Sequence, residues 1–237
     1  MTEGRVILID KPYRWTSFDV VKKIRKALID QLGKRGSGPD SKRLKVGHAG
    51  TLDPLATGLL VICTGPLTKK ISLIQDAEKE YTGTIVIGAV TASQDLETEP
   101  GNFKDISAID ETMIRSAAEK FRGVQMQVPP AHSAVKIEGK RSYEMARKGI
   151  EVEVKSREIE IRELEITAIR LPEIDFRISC SKGTYIRSFA RDLGEALGTG
   201  AYLKSLCRTR IGKYEIKDAV DPLVFIEQMS VNQVHTV

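Results

Sequence analysis

The residues best suited to chemistry lie in Val46–Gly58, VGHAGTLDPLATG, where one carboxylate, Asp53, sits among three glycines, a histidine and a proline. Gly47, Gly50 and Gly58 permit backbone angles and close approaches that side chains resist. Pro54 biases Asp53 away from the helical region and toward an extended backbone. Two readings fit this spacing. In one, the turn displays the Asp53 carboxylate as an isolated reactive group. In the other, Asp53 caps a helix through PLATGLL, with Pro54 as its first residue. His48 reads as a turn histidine bonded to backbone.

Competing chemistries lack their residues. The histidines are His48, His132 and His235, and they form neither an HxxxH nor an HExxH pair, so no metal is expected. No Gly-Lys-Ser/Thr follows the glycines at Walker spacing, no GxGxxG follows a strand, and no serine sits in GxSxG. Phosphate cradling is set aside, acyl transfer is weakened, and no cofactor is expected. Cys63, Cys180 and Cys207 are odd in number, widely separated and without a CxxC pair. They give neither zinc spacing nor a disulfide framework, which points to a reducing cytoplasm.

The elements that must position these residues form an α+β pattern. RVILIDKP reads as a strand stopped by a proline turn, and Thr16 or Ser17 could cap a helix with Val20, Val21, Ile24, Leu28 and Leu32 on one face. Residues Gly33–Arg43 form a glycine-rich basic loop. YTGTIVIGAVTAS alternates as a strand does, and DISAIDETMIRSAAEKFRG reads as a helix from Ser107 to Gly123 with Ile109, Met113, Ala117 and Phe121 as its stripe. A Pro-Pro break, a short basic helix near Tyr143–Lys148 and alternating strands follow; IDFRISCSKGTYIRSFARDLGEALGTG then reads strand, turn, helix, ending at Gly198. Without repeats or βαβ alternation, the sheet is expected to be mixed and mainly antiparallel, flanked by helices, in a single domain spanning 1–237.

A composition of 41% hydrophobic and 29% charged residues is globular, no apolar run is long enough to span a membrane, and no signal peptide precedes RVILIDKP. The net charge of +5 is unevenly spread. Residues 1–50 carry twelve Lys or Arg against five Asp or Glu, and residues 180–214 carry seven against two. Residues 75–120 reverse the balance, with four against ten. Such segregation fits a positive face aimed at a polyanion, or a solvated surface whose charges merely cluster.

KVGHAGTLDPLATGLLVICTG resembles the catalytic motif of the TruB family, the tRNA pseudouridine-55 synthases. LIDKPYRWTSFDVV is similar to that family's N-terminal segment, and TKKISLIQDAEKEYTGTIVIGAVTASQD to its next block. QVPPAHSAVKIEGKRSYEMARKG is similar to its thumb-like insertion, about 127–155, and SKGTYIRSFARDLGEALGTGAYLKSLCRTRIGKY to its C-terminal catalytic block. The resemblance runs from Gly4 to Ala219. It implies a pseudouridine synthase fold, a base-flipping isomerisation of the T-loop uridine at position 55, and tRNA as partner through its T-stem-loop. Asp53 matches the essential aspartate, Arg187 the arginine that pairs with it, and Tyr81 the aromatic residue that stacks on the flipped uracil. Tyr185 matches a second site tyrosine, Leu206 an apolar pocket wall, and His48 a histidine thought to fill the space the base vacates. Lys136, Lys140 and Arg141 in the thumb, with Arg208 and the neighbouring Lys182 and Arg210, are expected to contact RNA phosphates. A cytoplasmic monomer without metal or cofactor is expected.

Many family members carry a C-terminal PUA domain. This chain ends soon after Lys213-Tyr214, so that lobe is not expected, and the basic residues of Gly33–Arg43 could replace some of its contacts. The competing reading is a non-catalytic RNA-binding or tRNA-folding protein on the same scaffold. Against it stand Asp53, Tyr81 and Arg187, a set that binding alone does not need.

Overall fold

The computed structural model describes residues 4–34, 44–131, 136–137, 140–141 and 154–231. In chain order its elements are β1 (Val6–Lys11), α1 (Ser17–Lys34), β2 (Val46–His48), β3 (Ala56–Thr64), α2 (Ile71–Gln75), β4 (Lys79–Ile87), α3 (Glu111–Glu119), β5 (Gly123–Gln127), β6 (Lys136–Ile137), β7 (Lys140–Arg141), β8 (Arg157–Arg170), β9 (Glu173–Cys180), α4 (Ile186–Ala196), β10 (Ala201–Ile211), β11 (Tyr214–Glu215) and α5 (Pro222–Val231). The chain divides into two compact units: Met1–Lys79 with Cys207–Val237, and Glu80–Leu206.

In the first unit, β3 pairs antiparallel with β1 over Val6–Lys11 and with β2 over Val46–His48. Leu60 and Ile62 pack with Ile9, Val20, Val21 and Ile24, while Leu59 and Val61 pack with Ala49 and Ile211. Strand β3 therefore buries both of its faces, which explains why its sequence is an unbroken apolar run instead of an alternation. The helix through PLATGLL does not form: Pro54 and Leu55 turn, and Ala56 opens β3. A strand buries both sides of LLVIC against two cores, whereas a short helix would leave half of it in water. Helix α1 starts as expected. Thr16 Oγ1 accepts from the Asp19 N–H at 3.0 Å, and Asp19 Oδ2 accepts from the Thr16 N–H at 2.9 Å, a reciprocal cap.

In the second unit, β8 pairs antiparallel with β9 and with β5. Helix α3 is shorter than expected. Its cap is Asp110, whose side chain accepts from the Met113 N–H at 2.8 Å, and its buried face is Ile114, Ala117 and Ala118, with Met113 exposed. Asp110 outcompetes Ser107 because it lies three residues before the N–H it caps. Ser107 instead bonds Asp105. Gly198, at φ +73, closes the turn after α4 as expected. Between residues 132 and 153, only the pairing of Lys136 with Arg141 and of Ile137 with Lys140 is described. The expected helix near Tyr143–Lys148 and positions 35–43 of the basic loop lie outside the described residues.

Gly58 makes the site's floor possible. It lies in β3 at φ +98, and a Cβ there would fall 2.5 Å from the Arg208 carbonyl and 2.8 Å from its nitrogen. Gly198 has a similar φ but open space around it. In urea denaturation, Gly58→Ala is expected to cost about 3 kcal/mol or more, and Gly198→Ala only the ~1–2 kcal/mol of left-handed strain. Equal losses at the two positions would refute the close-approach explanation.

Candidate active site

Asp53 stands, half-buried, in the loop between β2 and β3. Five successive carbonyls of that loop are bonded. Arg208 Nη2 donates to Gly50 O at 3.0 Å and Nη1 to Thr51 O at 3.4 Å. The Ser17 hydroxyl donates to Leu52 O at 3.2 Å while accepting from the Leu52 N–H at 2.9 Å. The Ala56 N–H donates to Asp53 O at 3.1 Å, and the Arg14 N–H to Pro54 O at 2.8 Å. None of these bonds uses the Asp53 carboxylate. No helix follows Asp53 for it to cap, so the helix-cap reading falls.

Two buried cations organise this loop. Lys11 is 0% exposed, and its ammonium donates to the carbonyls of Trp15 at 2.5 Å, Pro12 at 3.0 Å and Pro54 at 3.3 Å. Burial pushes its pKa down to about 8, against the pull of the Asp53 charge; Arg208 lowers it further and Asp19 and Asp10 raise it. Lys11 was not singled out from the sequence. The signal was present: in β1, Ile9 and Lys11 fall on one face by strand periodicity, and that face is the core. Arg208 is 1% exposed and also donates through Nε to Leu59 O at 2.9 Å. That burial stands against the expected phosphate contact, since a guanidinium among interior carbonyls is withdrawn from the surface where a phosphate would lie. Arg210 is likewise engaged, with Nη2 2.5 Å from Glu78 Oε1.

His48 is the last residue of β2, opposite Ile62. Burial lowers its pKa, a backbone hydrogen bond with Gly50 opposes that, and the Arg208 charge lowers it again. The imidazole is neutral at physiological pH.

The second unit holds the remaining residues. Tyr81 is buried near the start of β4, and Leu206 is half-buried on β10. Tyr185 is the N-cap residue of α4, and Arg187 follows in its first turn. Arg187 is 5% exposed; Nη1 donates to Ser93 O at 3.1 Å and Nε lies 3.6 Å from Asp95 Oδ2. Asp95, 4% exposed, is held in turn by the Glu97 N–H at 2.9 Å. This carboxylate closes the block TASQD and went unremarked in the sequence because an aspartate before a turn reads as ordinary loop chemistry. For Lys136, Lys140 and Arg141 only backbone pairing is described. Among the described residues no group of three or more His, Cys, Asp or Glu could hold a metal, and no helix is long and apolar enough to cross a membrane.

The fold is that of the pseudouridine synthases. It matches a chain of a Cbf5-Nop10-Gar1 complex with TM-score 0.69 at 28% identity, covering 94% of this chain and 53% of that one. A chain of an archaeal box H/ACA sRNP Nop10-Cbf5 complex matches with TM-score 0.67 at 25% identity, covering 96% and 54%. The chain spans about half the length of those solved chains. The profile of the TruB family pseudouridylate synthase N-terminal domain matches residues 40–186, and the chain belongs to the TruB family. It is 52% identical over 227 residues to a tRNA pseudouridine synthase B of Flavobacterium johnsoniae, covering 96% of each chain. It is 50% identical over 229 residues to one of Chlorobaculum tepidum, covering 96% of this chain and 92% of the relative.

Two outcomes follow from the buried cations. Arg208→Lys keeps the charge but not the three-way fork, so kcat should fall about tenfold or more while tRNA affinity and its salt dependence stay as in the wild type. Weaker tRNA binding by the variant at an unchanged kcat would restore Arg208 as a phosphate contact. For Lys11, the folded pKa of about 8 lies below the unfolded 10.5. Below pH 8 the fold bears the full cost of a buried ammonium; between those pKa values the unfolded chain holds the extra proton, so stability rises with pH. Denaturation of wild type and Lys11→Met across this range should show the rise only in the wild type.

Proposed function

We propose that this protein isomerises the T-loop uridine at position 55 of tRNA to pseudouridine. The supporting observation is the loop itself: a carboxylate on a turn whose backbone is satisfied by other groups is pre-set for reaction. The relatives' names supply the substrate, a tRNA.

In this reading the uridine is flipped from its loop, at a cost of a few kcal/mol in lost stacking. Tyr81 restores part of that by stacking on the uracil, with Tyr185 and Leu206 as further walls, and the neutral His48 ring fills the place left in the RNA. The Asp53 carboxylate initiates cleavage of the bond from ribose C1′ to N1, with Arg187 as the cation of the reacting centre. The base turns and C1′ bonds C5. The C5 proton leaves and N1 gains a proton, so the sum is an isomerisation that requires no oxidant, reductant or second substrate. Lys136, Lys140 and Arg141 contact RNA phosphates from the thumb. The protein works as a monomer in the cytoplasm, which suits its three free cysteines.

Release of tritium from C5-labelled uridine in tRNA tests the reaction. The wild type should release label in the presence of EDTA. Asp53→Asn should slow release by about 10³-fold or more while tRNA still binds. Release by Asp53→Asn at the wild-type rate would overturn the mechanism. A wild type that binds tRNA without releasing label would favour the RNA-binding alternative.

A further inference from the structure

Helix α4 starts in an unusual way. Its N-cap residue is Tyr185, whose side chain makes no cap hydrogen bond, although Ser, Thr, Asp or Asn would cap locally. The backbone of Tyr185 is instead bonded from 58 residues earlier in the chain. Gln127, the last residue of β5 and 3% exposed, accepts from the Tyr185 N–H through Oε1 at 2.8 Å and donates through Nε2 to Tyr185 O at 3.1 Å. An accepting side chain on the N-cap N–H is the part that a Glu or Gln three residues along plays in a capping box. Here the third helical residue is Ser188, and its hydroxyl goes instead to Val128 O at 2.8 Å. Arg191 Nη2 donates to the same carbonyl at 3.2 Å.

The ring of Tyr185 is held from a second side. Arg157, which lies opposite Gln127 in the β5–β8 register, places its guanidinium carbon 5.1 Å from the ring centroid. The same side chain runs beside Gly183, where a Cβ would lie 3.4 Å from Nη1 and where φ is +83. One cross-strand pair thus grips one tyrosine twice, by its backbone and by its ring face.

We propose that Gln127 and Arg157 are positioning residues of the synthase, which together fix the Tyr185 ring and the first turn of α4 that carries Arg187. The proposal rests on the reading of Tyr185 and Arg187 as site residues. With its N–H and its carbonyl both held by Gln127, Tyr185 keeps a fixed backbone at the helix start although its ring makes no cap bond. Arg157 then removes the freedom of that ring, at the loss of one rotamer-rich side chain.

Single-turnover rates and filter binding of tRNA test this. Arg157→Ala should lower the rate about tenfold with tRNA affinity within about twofold, and Arg157→Lys, which keeps a cation over the ring, should recover most of the loss. Gln127→Ala should likewise lower the rate and leave binding intact. In a Tyr185→Ala background, Arg157→Ala should cost nothing more, because the ring it acts through is gone. The same loss in both backgrounds, or weaker tRNA binding with a flatter salt dependence, would overturn the proposal and make Arg157 an RNA contact. A crippled Tyr185→Ala beside an unaffected Arg157→Ala would defeat the clasp alone. A fully active Tyr185→Ala would defeat the site reading, and the clasp with it.

Discussion

Two cations without solvent hold the reactive loop in shape. An ammonium or guanidinium withdrawn from water must recover its solvation from oriented dipoles, and in the first unit those dipoles are backbone carbonyls. Lys11 takes the carbonyls of Pro12, Trp15 and Pro54, and Arg208 those of Gly50, Thr51 and Leu59. The dependence is mutual. Remove the cations and a run of inward carbonyls is orphaned; turn the carbonyls outward and two charges are stranded. The loop that carries Asp53 therefore takes its shape from these carbonyl bonds. Gly58 belongs to the same constraint, since only a residue without Cβ lets β3 approach the Arg208 backbone closely enough.

The second unit solves a similar problem with different groups. Arg187 is buried in the first turn of α4, between the Ser93 carbonyl and the Asp95 carboxylate. Its charge is balanced by a carboxylate as well as by dipoles, and that carboxylate is held by the Glu97 N–H. Helix α4 is then fastened to the end of β5 through Gln127, Ser188 and Arg191. Asp53 in the first unit and Arg187 in the second both sit on short segments whose hydrogen bonds come from distant parts of the chain. This is how a loop or a helix start acquires the rigidity of a core.

The fold class was legible because it depends on local pattern: alternation in β4, β8 and β9, and the helical spacing of α1 and α4. Asp53 was legible as an oddity from glycine and proline spacing, and as a catalytic candidate only through resemblance. PLATGLL was misread because a strand buried on both faces loses the alternation that marks a strand, leaving a run that fits either element. Lys11, Asp95 and Gln127 escaped for another reason. Lys11 and Gln127 bond carbonyls and N–H groups, which every residue type has, and Asp95 meets Arg187 from a distant part of the chain, so nothing nearby in the sequence announces these contacts.

That reason also limits what segment charge says about RNA binding. The block 180–214 looked basic, with seven Lys or Arg against two acids. Of these, Arg187 and Arg208 are interior, while Arg191, Lys204 and Arg210 face Asp192, Glu173 and Glu78. Pairs such as Lys204 with Glu173 are half-exposed and can exchange partners cheaply, so they still add to the outer field. The two interior cations add less, Arg208 because carbonyls solvate it away from water and Arg187 because the Asp95 carboxylate faces it. A count of charges along a chain adds both kinds together. In the first fifty residues the balance differs: Lys11 is buried, but Arg14, Lys22, Lys23 and Lys26 are exposed on α1 and the turn before it. That turn is bonded to the Asp53 loop through Arg14 N–H and Pro54 O. In the first unit, then, exposed cations that still contribute to the outer field lie on a segment bonded to the Asp53 loop.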